Sequence, residues 1–282
     1  MSTTVYLNGQ FLPKDQARLS PEDRGFLFGD GIYEVVRTYE GRLFALKPHL
    51  DRMRYGLCEL EINGVDPEQM GEVAAELVRR NGLTSGDATI YLEVTRGAAP
   101  RTHFFPDPPV TPTVFAVASR FTPKADPASG IAAITVPDIR WARCDIKTIQ
   151  LLPNVLANQK ARAAGAQEAL FVRDGVVLEG SHTSLFFVLE AQVRTAPKTN
   201  YILPSITRDI ALELCREANI PARETPVFTT QLERVSEVFL AGTTMEIMPI
   251  VTIDGTPVGS GQPGPVAKRL LQLFHERTRS AS

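Results

Sequence analysis

Apolar and polar positions along this chain change period several times, and each change marks an element. In TTVYLNGQFLP, residues 3–13, two short alternating runs flank Asn8-Gly9, a dipeptide suited to the positive φ angles of a tight turn, which predicts a β-hairpin. From Pro48 the apolar residues Leu50, Met53, Leu57 and Leu60 recur at helical spacing, and Pro48 suits a first helical turn, where its missing N–H removes no bond. A second helix runs from Pro67 through Met70, Val73, Leu77 and Val78 to a stop at Asn81-Gly82. Beyond it Ile90, Leu92 and Val94 alternate with Tyr91, Glu93 and Thr95, the pattern of a half-buried strand. FTPKADPASG at 121–130 gathers prolines, a glycine and small polar residues between two β-like runs and reads as a linker. The expected organisation is therefore an N-terminal domain at 1–120, the linker at 121–130, and a C-terminal domain at 131–282.

In that second part ALFVRDGVVLEG is two strand-like runs joined by Asp174-Gly175, a strong hairpin signal. A helix is predicted from Ser205, with Ile206, Ile210, Leu214 and Ala218 on one face and the Ser205 hydroxyl as an N-cap acceptor. A strand (EVFLAG), a hairpin at Asp254-Gly255 and a final helix from Pro265 to Arg277 complete the chain. Helices and strands are mixed without regular βαβ alternation, so the fold class is α/β with α+β character, in two domains, and not a doubly wound sheet.

Composition narrows the function classes. The 282 residues are enough for two apolar cores, and 43% apolar with 22% charged residues is ordinary for a globular protein. A net charge of −2 without runs of like charge gives no general attraction to nucleic acid or to an anionic membrane surface. Cys58, Cys144 and Cys215 are far apart and lack CxxC spacing, which suggests neither a disulfide framework nor a zinc site. The histidines are isolated, GDG at 29–31 has no nucleotide-loop context, and no GxSxG occurs. No basic start followed by an apolar stretch opens the sequence and no long apolar run interrupts it, so the expectation is a cytoplasmic protein.

Among the seven lysines, Lys14, Lys47, Lys124 and Lys198 read as turn residues, and Lys160 and Lys268 as polar helix faces. Lys147 differs, lying in WARCDIKTIQLLP close to Ile146, Ile149, Leu151 and Leu152. There it is either a partly desolvated, nucleophilic amine or a stem lying along apolar surface with its charge in water. Ser205-Ile206-Thr207 is either a phosphate-binding helix start or an ordinary cap. Thr243-Thr244 after Gly242 offers hydroxyls at a strand end. Glu179 closes a hairpin strand, a place where carboxylates are commonly just exposed. Arg101 and His103, in GAAPRTHFFP, either grip a carboxylate together or are plain loop residues.

Taken together, EDRGFLFGDGIYEVVR at 22–37, HLDR at 49–52, RTH at 101–103, RCDIKTIQLLPNVLA at 143–157, LEGS at 178–181, LPSITRD at 203–209 and AGTTMEIMP at 241–249 resemble, in this order, the fold-type IV pyridoxal-phosphate enzymes. That family includes D-amino-acid, branched-chain and (R)-amine transaminases and aminodeoxychorismate lyase. The resemblance covers nearly the whole chain and implies a smaller N-terminal α/β domain and a larger, β-barrel-like, cofactor-binding C-terminal domain with helices. It implies pyridoxal 5′-phosphate as cofactor, with Lys147 forming the Schiff base and moving the α-proton. Glu179 would face the pyridine nitrogen. Arg52, Ile206, Thr207, Thr243 and Thr244 would hold the phosphate, Leu203 would pack near the ring, and Tyr33 would line the substrate side. The RxH loop looks like the D-amino-acid transaminase branch, in which Arg101 and His103 take the substrate carboxylate of a D-amino acid such as D-alanine. A homodimer with that loop reaching into the partner's active site follows from the same resemblance. Where the family often carries a serine-rich run, this chain has Ser181-His182-Thr183-Ser184, a departure that bears on local contacts there. A lyase, a branched-chain or (R)-amine transaminase, and a non-catalytic ligand-binding protein are the alternatives on the same scaffold.

Overall fold

The computed structural model describes residues 3–280 and divides into two units, one of residues up to Thr122 together with Ile146–Gln150, the other of Pro123–Asp145 and the chain from Leu151 onward. The segment carrying Lys147 thus belongs with the first unit, although it follows the 121–130 linker in sequence.

The first unit contains β1 (Thr4–Leu7), β2 (Gln10–Pro13), α1 (Arg24–Phe28), β3 (Gly31–Tyr39), β4 (Arg42–Leu43), α2 (Leu46–Glu59), α3 (Pro67–Arg80), β5 (Ala88–Thr95) and β6 (Thr113–Arg120). Its six strands form one antiparallel sheet in the order β2-β1-β6-β5-β3-β4. The β1–β2 turn places Asn8 at φ 47° and Gly9 at φ 90°, as the Asn-Gly signal requires. Helices α2 and α3 pack on the sheet through Leu50, Met53, Leu57, Met70, Val73 and Leu77, opposite Ile32, Val36, Ile90, Leu92 and Val94. In α3, Asp66 accepts from the Glu68 N–H and Pro67 takes the first helical position, so the cap and the proline start the helix where the sequence placed it. Lys47 is a correction: it sits in the first turn of α2 and pairs with Asp51, because α2 begins ahead of Pro48.

The second unit contains β7 (Ile131–Pro137), α4 (Leu152–Ala163), β8 (Glu168–Arg173), β9 (Val176–Gly180), β10 (Ser184–Leu189), β11 (Gln192–Thr195), α5 (Ile206–Glu217), β12 (Ala222–Glu224), β13 (Val227–Phe228), β14 (Glu237–Gly242), β15 (Glu246–Ile253), β16 (Thr256–Pro257) and α6 (Pro265–Ser280). The path β10-β14-β15-β7-β8-β9 is closed by a β9–β10 pairing at Glu179 and Ser184, so six strands form a barrel-like ring of mixed direction. Phe187, Leu240, Leu170, Met248 and Val177 share one core. Helices α5 and α6 pack on β14 and β15, and α4 packs on β7 and β8 through Ala157 and Ala161. The mixed α/β class and the barrel-like second domain agree with the sequence reading.

Candidate active site

In the first unit, Lys147 is held by strand-like pairing with β3: the Tyr33 N–H donates to the Lys147 carbonyl at 3.0 Å and the Ile149 N–H to the Gly31 carbonyl at 3.1 Å. A Cβ at Gly31 would meet the Val94 carbonyl at 2.6 Å, so glycine is what lets β3, β5 and this segment approach. The Lys147 amine, half-buried, lies 4.2 Å from the centre of the Tyr33 ring, and Tyr33 stacks on Tyr91.

Arg52 faces a carboxylate of its own chain. Glu34 on β3 is fully buried and receives Arg52 through Nε at 2.7 Å and Nη2 at 2.8 Å, while His49 Nδ1 lies 2.7 Å from Glu34 Oε2. Although burial opposes its charge, the Arg52 guanidinium with the hydrogen bonds from Arg52 and His49 holds Glu34 well below the usual carboxylate range. Burial likewise pushes the His49 imidazole down, against the pull of Glu34. Neutral His49 then donates its Nδ1–H to Glu34. Neither Glu34 nor His49 was singled out from the sequence. The signal was there: Glu34 shares the period-2 face of Ile32 and Val36, a carboxylate on a core face, and His49 and Arg52 are three apart on one side of α2.

Arg101 and His103 come together on Phe28, the histidine ring at 5.8 Å and the guanidinium at 5.1 Å from the phenylalanine ring. Both are exposed, but their loop is tied down: Arg24 donates to the Thr102 carbonyl at 2.8 Å and is itself fixed by Asp30, which also receives Arg96.

In the second unit, Glu179 on β9 is buried, in contrast to the exposed carboxylate common at strand ends. It takes the Leu203 N–H at 3.1 Å and is hydrogen-bonded by Arg140. Burial pushes its carboxyl up to about 7, against the lowering pull of Arg140. Arg140 is fixed in turn by Asp138 at 2.8 Å and lies 4.1 Å over the Phe171 ring. The sequence offered no sign of Arg140, a loop residue recruited by tertiary packing alone.

Ser205 caps α5 by accepting from the Arg208 N–H, and Thr207 is buried in the first turn. Backbone N–H groups in a first helical turn have no intrahelical acceptor, so Ile206 and Thr207 present donors at the positive end of the helix dipole. Thr243 and Thr244 form the turn between β14 and β15. Residues 181–184 are organised by Glu168, fully buried, which accepts from the Ser181 N–H at 3.0 Å, the Ser181 hydroxyl at 2.5 Å and the Thr183 hydroxyl at 2.8 Å. His182 stands half out of this turn, its Nδ1 3.0 Å from Ser181 Oγ.

By donor chemistry these groups suit a phosphorylated pyridine aldehyde: an amine for the aldehyde, a buried carboxylate for a ring N–H, and a guanidinium, helix-start N–H groups and hydroxyls for phosphate. Among the described residues no cluster of His, Cys, Asp and Glu could hold a metal ion, and no helix is long and apolar enough to cross a membrane.

Comparison with known proteins defines the class: residues 31–253 match the family described as Amino-transferase class IV, and the chain belongs to that family. Among its curated relatives, the D-alanine aminotransferase of Staphylococcus haemolyticus is 39% identical over 282 residues, covering 99% of both chains. That of Bacillus licheniformis is 39% identical over 270 residues, covering 94% of each. Among solved structures, a T.th. branched-chain amino acid aminotransferase with pyridoxamine 5′-phosphate superposes with a TM-score of 0.90 at 29% identity, covering 99% of this chain and 94% of that one.

Proposed function

We propose that this chain is a pyridoxal-phosphate-dependent transaminase that exchanges the amino group between D-amino acids, such as D-alanine, and 2-oxo acids, such as 2-oxoglutarate. The observation that carries this reading is the full-length similarity to D-alanine aminotransferases at 39% identity. The pairing of Arg101 and His103 on Phe28 supports it, because a planar guanidinium fork and a ring N–H side by side on an anchored loop suit an α-carboxylate.

In this reading Lys147 Nζ would hold the cofactor through its aldehyde group and would move the proton at the substrate α-carbon. Arg52, the N–H groups of Ile206 and Thr207, and the hydroxyls of Thr207, Thr243 and Thr244 hold the phosphate. Glu179 in its ionised form keeps the pyridine nitrogen protonated, Leu203 packs near the ring, and Tyr33 lines the substrate side. Bound there, pyridoxal phosphate supplies the electron sink for the carbanion formed when the α-proton leaves. The working form is a homodimer, as in the family the motifs resemble, and the three free cysteines suit the reducing cytoplasm.

Titration of the holoenzyme with D- and L-alanine, followed over the whole absorption spectrum, tests the reading. D-alanine should convert the cofactor to its pyridoxamine form, and steady-state kinetics should be ping-pong. Conversion by L-branched-chain amino acids without conversion by D-alanine refutes it. That second reading, a branched-chain or (R)-amine transaminase, draws on the structural likeness to the branched-chain enzyme.

A further inference from the structure

The GDG tripeptide at 29–31, which has no nucleotide-loop context, sits in the first unit where α1 ends and β3 begins, and its residues divide two tasks. Gly29 closes α1 at φ 69° and lies against Gln150, whose Cα an added Cβ would meet at 3.3 Å. Gly31 lies against Val94 and Ile149. The two glycines thus let the segment that carries Lys147 approach. The side chain of Asp30 turns elsewhere. Its Oδ2 accepts from Arg24 Nε at 2.8 Å and from Arg96 Nε at 2.8 Å, and its Oδ1 accepts from Arg96 Nη2 at 3.1 Å. All three side chains are nearly out of water, so one carboxylate offsets and aligns two desolvated guanidiniums.

From those guanidiniums the contacts lead to the loop of Arg101 and His103. Strand β5 ends at Thr95 and β6 begins at Thr113, and a connection of that length without a helix or strand of its own is uncommon in a compact domain unless it is functional. Arg24 Nη1 donates to the Thr102 carbonyl at 2.8 Å, and its guanidinium lies 4.8 Å from the Phe28 ring on which Arg101 and His103 converge. Arg96 lies 3.6 Å over the Phe105 ring and donates to the carbonyls of Leu60 at 2.6 Å and Glu61 at 3.2 Å, just past the end of α2. A cation there also suits the negative end of the helix dipole. Thr102 and Phe105, on either side of His103, are therefore fastened by two arginines that share Asp30.

We infer that Asp30 is the positioning residue of the carboxylate-binding loop: it sets the affinity for the substrate α-carboxylate by holding Arg24 and Arg96 where they fix the backbone around Arg101 and His103. The inference rests on the D-amino-acid transaminase reading above, and within it on the role of Arg101 and His103. Both of these side chains are exposed, so the freedom they lose on gripping a carboxylate weakens binding unless the backbone beneath them is already ordered. The α-carboxylate keeps its charge while the α-proton moves, so this ordering strengthens ground state and transition state alike and acts on KM more than on kcat. The contacts all lie within one chain, so the role is the same whether the loop serves the amine of its own chain or that of a second copy.

Asp30→Asn tests it in the holoenzyme, since it keeps the shape and one acceptor oxygen but removes the charge between the guanidiniums and sets an NH2 group against an arginine. The KM for D-alanine should rise on the order of tenfold, the worth of two side chains that binding must now order, with kcat within about threefold of wild type. Amide hydrogen exchange over residues 99–106, measured without substrate, should speed up. In an Arg101→Ala background Asp30→Asn should raise KM by less than about threefold, because the two changes act through one loop. A KM that moves by less than about threefold, a loop whose exchange is unchanged, or a rise of about threefold or more that persists without Arg101 overturns the inference and leaves the transaminase reading standing. A wild-type enzyme that does not turn over D-alanine ends both. Should Asp30→Asn not fold, Arg24→Lys decides by the same measurements, since lysine keeps the charge beside Asp30 but cannot set two edges of one fork on Asp30 and on Thr102.

Discussion

Glu34→Gln isolates the buried cluster beneath Arg52. In the native cluster one carboxylate, fully buried, answers three donors: both arms of the Arg52 fork at 2.7 and 2.8 Å, and His49 Nδ1 at 2.7 Å. Glutamine keeps the volume but replaces one oxygen with an NH2 group, and because each oxygen of Glu34 receives one Arg52 nitrogen, that NH2 faces the guanidinium in either orientation, donor against donor. Arg52 is only 10% exposed, so water does not rescue it. Breaking one side of a buried pair costs about 3–5 kcal/mol. At roughly 2–4 °C per kcal/mol for a chain of this size, the melting temperature should drop by on the order of 10 °C. Calorimetry on the apoprotein is the proper assay, because bound cofactor adds its own linkage. The pH dependence has a fixed sign. Glu34 is held below its ordinary value of 4.5, so its contribution is complete above that value and is lost as pH falls below it. The gap between wild type and variant should therefore be full near neutrality and narrow in acid. A gap under about 1 kcal/mol, or one that stays constant below the ordinary carboxylate range, refutes the reasoning.

Lys147→Ala should yield a protein whose pyridoxal phosphate is removed by dialysis, and borohydride treatment of the wild type should label the peptide containing Lys147; a label on another lysine ends the proposal. Arg101→Ala should lower kcat/KM for D-amino acids by about 10- to 150-fold, the worth of a charged hydrogen bond, while sparing neutral (R)-amines. Glu179, pushed up to about 7 in the cofactor-free protein, should ionise at lower pH once a protonated pyridine nitrogen faces it, and Glu179→Gln should be slow because an amide cannot hold that nitrogen protonated. The apoprotein should show a pH-dependent stability of its own. A carboxyl raised from 4.5 to about 7 supports the fold fully below 4.5 and loses that contribution, about 3 kcal/mol, as pH rises through 7, so the glutamine variant should gain on wild type over that interval in urea melts.

The elements that sequence pattern foretold are those whose cause is local. The Asn8-Gly9, Asp174-Gly175 and Asp254-Gly255 turns need positive φ at both residues, as observed at Asn8, Asp174 and Asp254 and the glycines that follow them. The starts at Asp66-Pro67 and Ser205 follow from capping chemistry within three residues. By contrast α4, whose apolar face is largely alanine and whose Leu152, Val155 and Leu156 are exposed, has no clean apolar period and shows in the sequence only as the polar helix face read at Lys160. The Glu179–Ser184 pairing that completes the six-stranded ring spans only a short turn, but the β10–β14 and β7–β15 pairings it depends on join residues far apart in sequence and leave no local signature.

The candidate site divides along the same line. Lys147, Arg52, Glu179 and the α5 start sit in motifs whose residue types are visible one at a time, yet what each of them answers to is set by tertiary packing. Glu34 meets Arg52 from another element, Arg140 meets Glu179 across 39 positions, and Glu168 meets residues 181–184 from a neighbouring strand. In each case a charged group is buried only because a partner distant in sequence arrives to satisfy it. A carboxylate on the core face of a strand, as Glu34 and Glu168 both are, is the one-dimensional trace of such a partner. Reading β3 and β8 for that irregularity, a charge where the alternation calls for an apolar residue, locates the supports of the site even where it cannot name the residue on the other side.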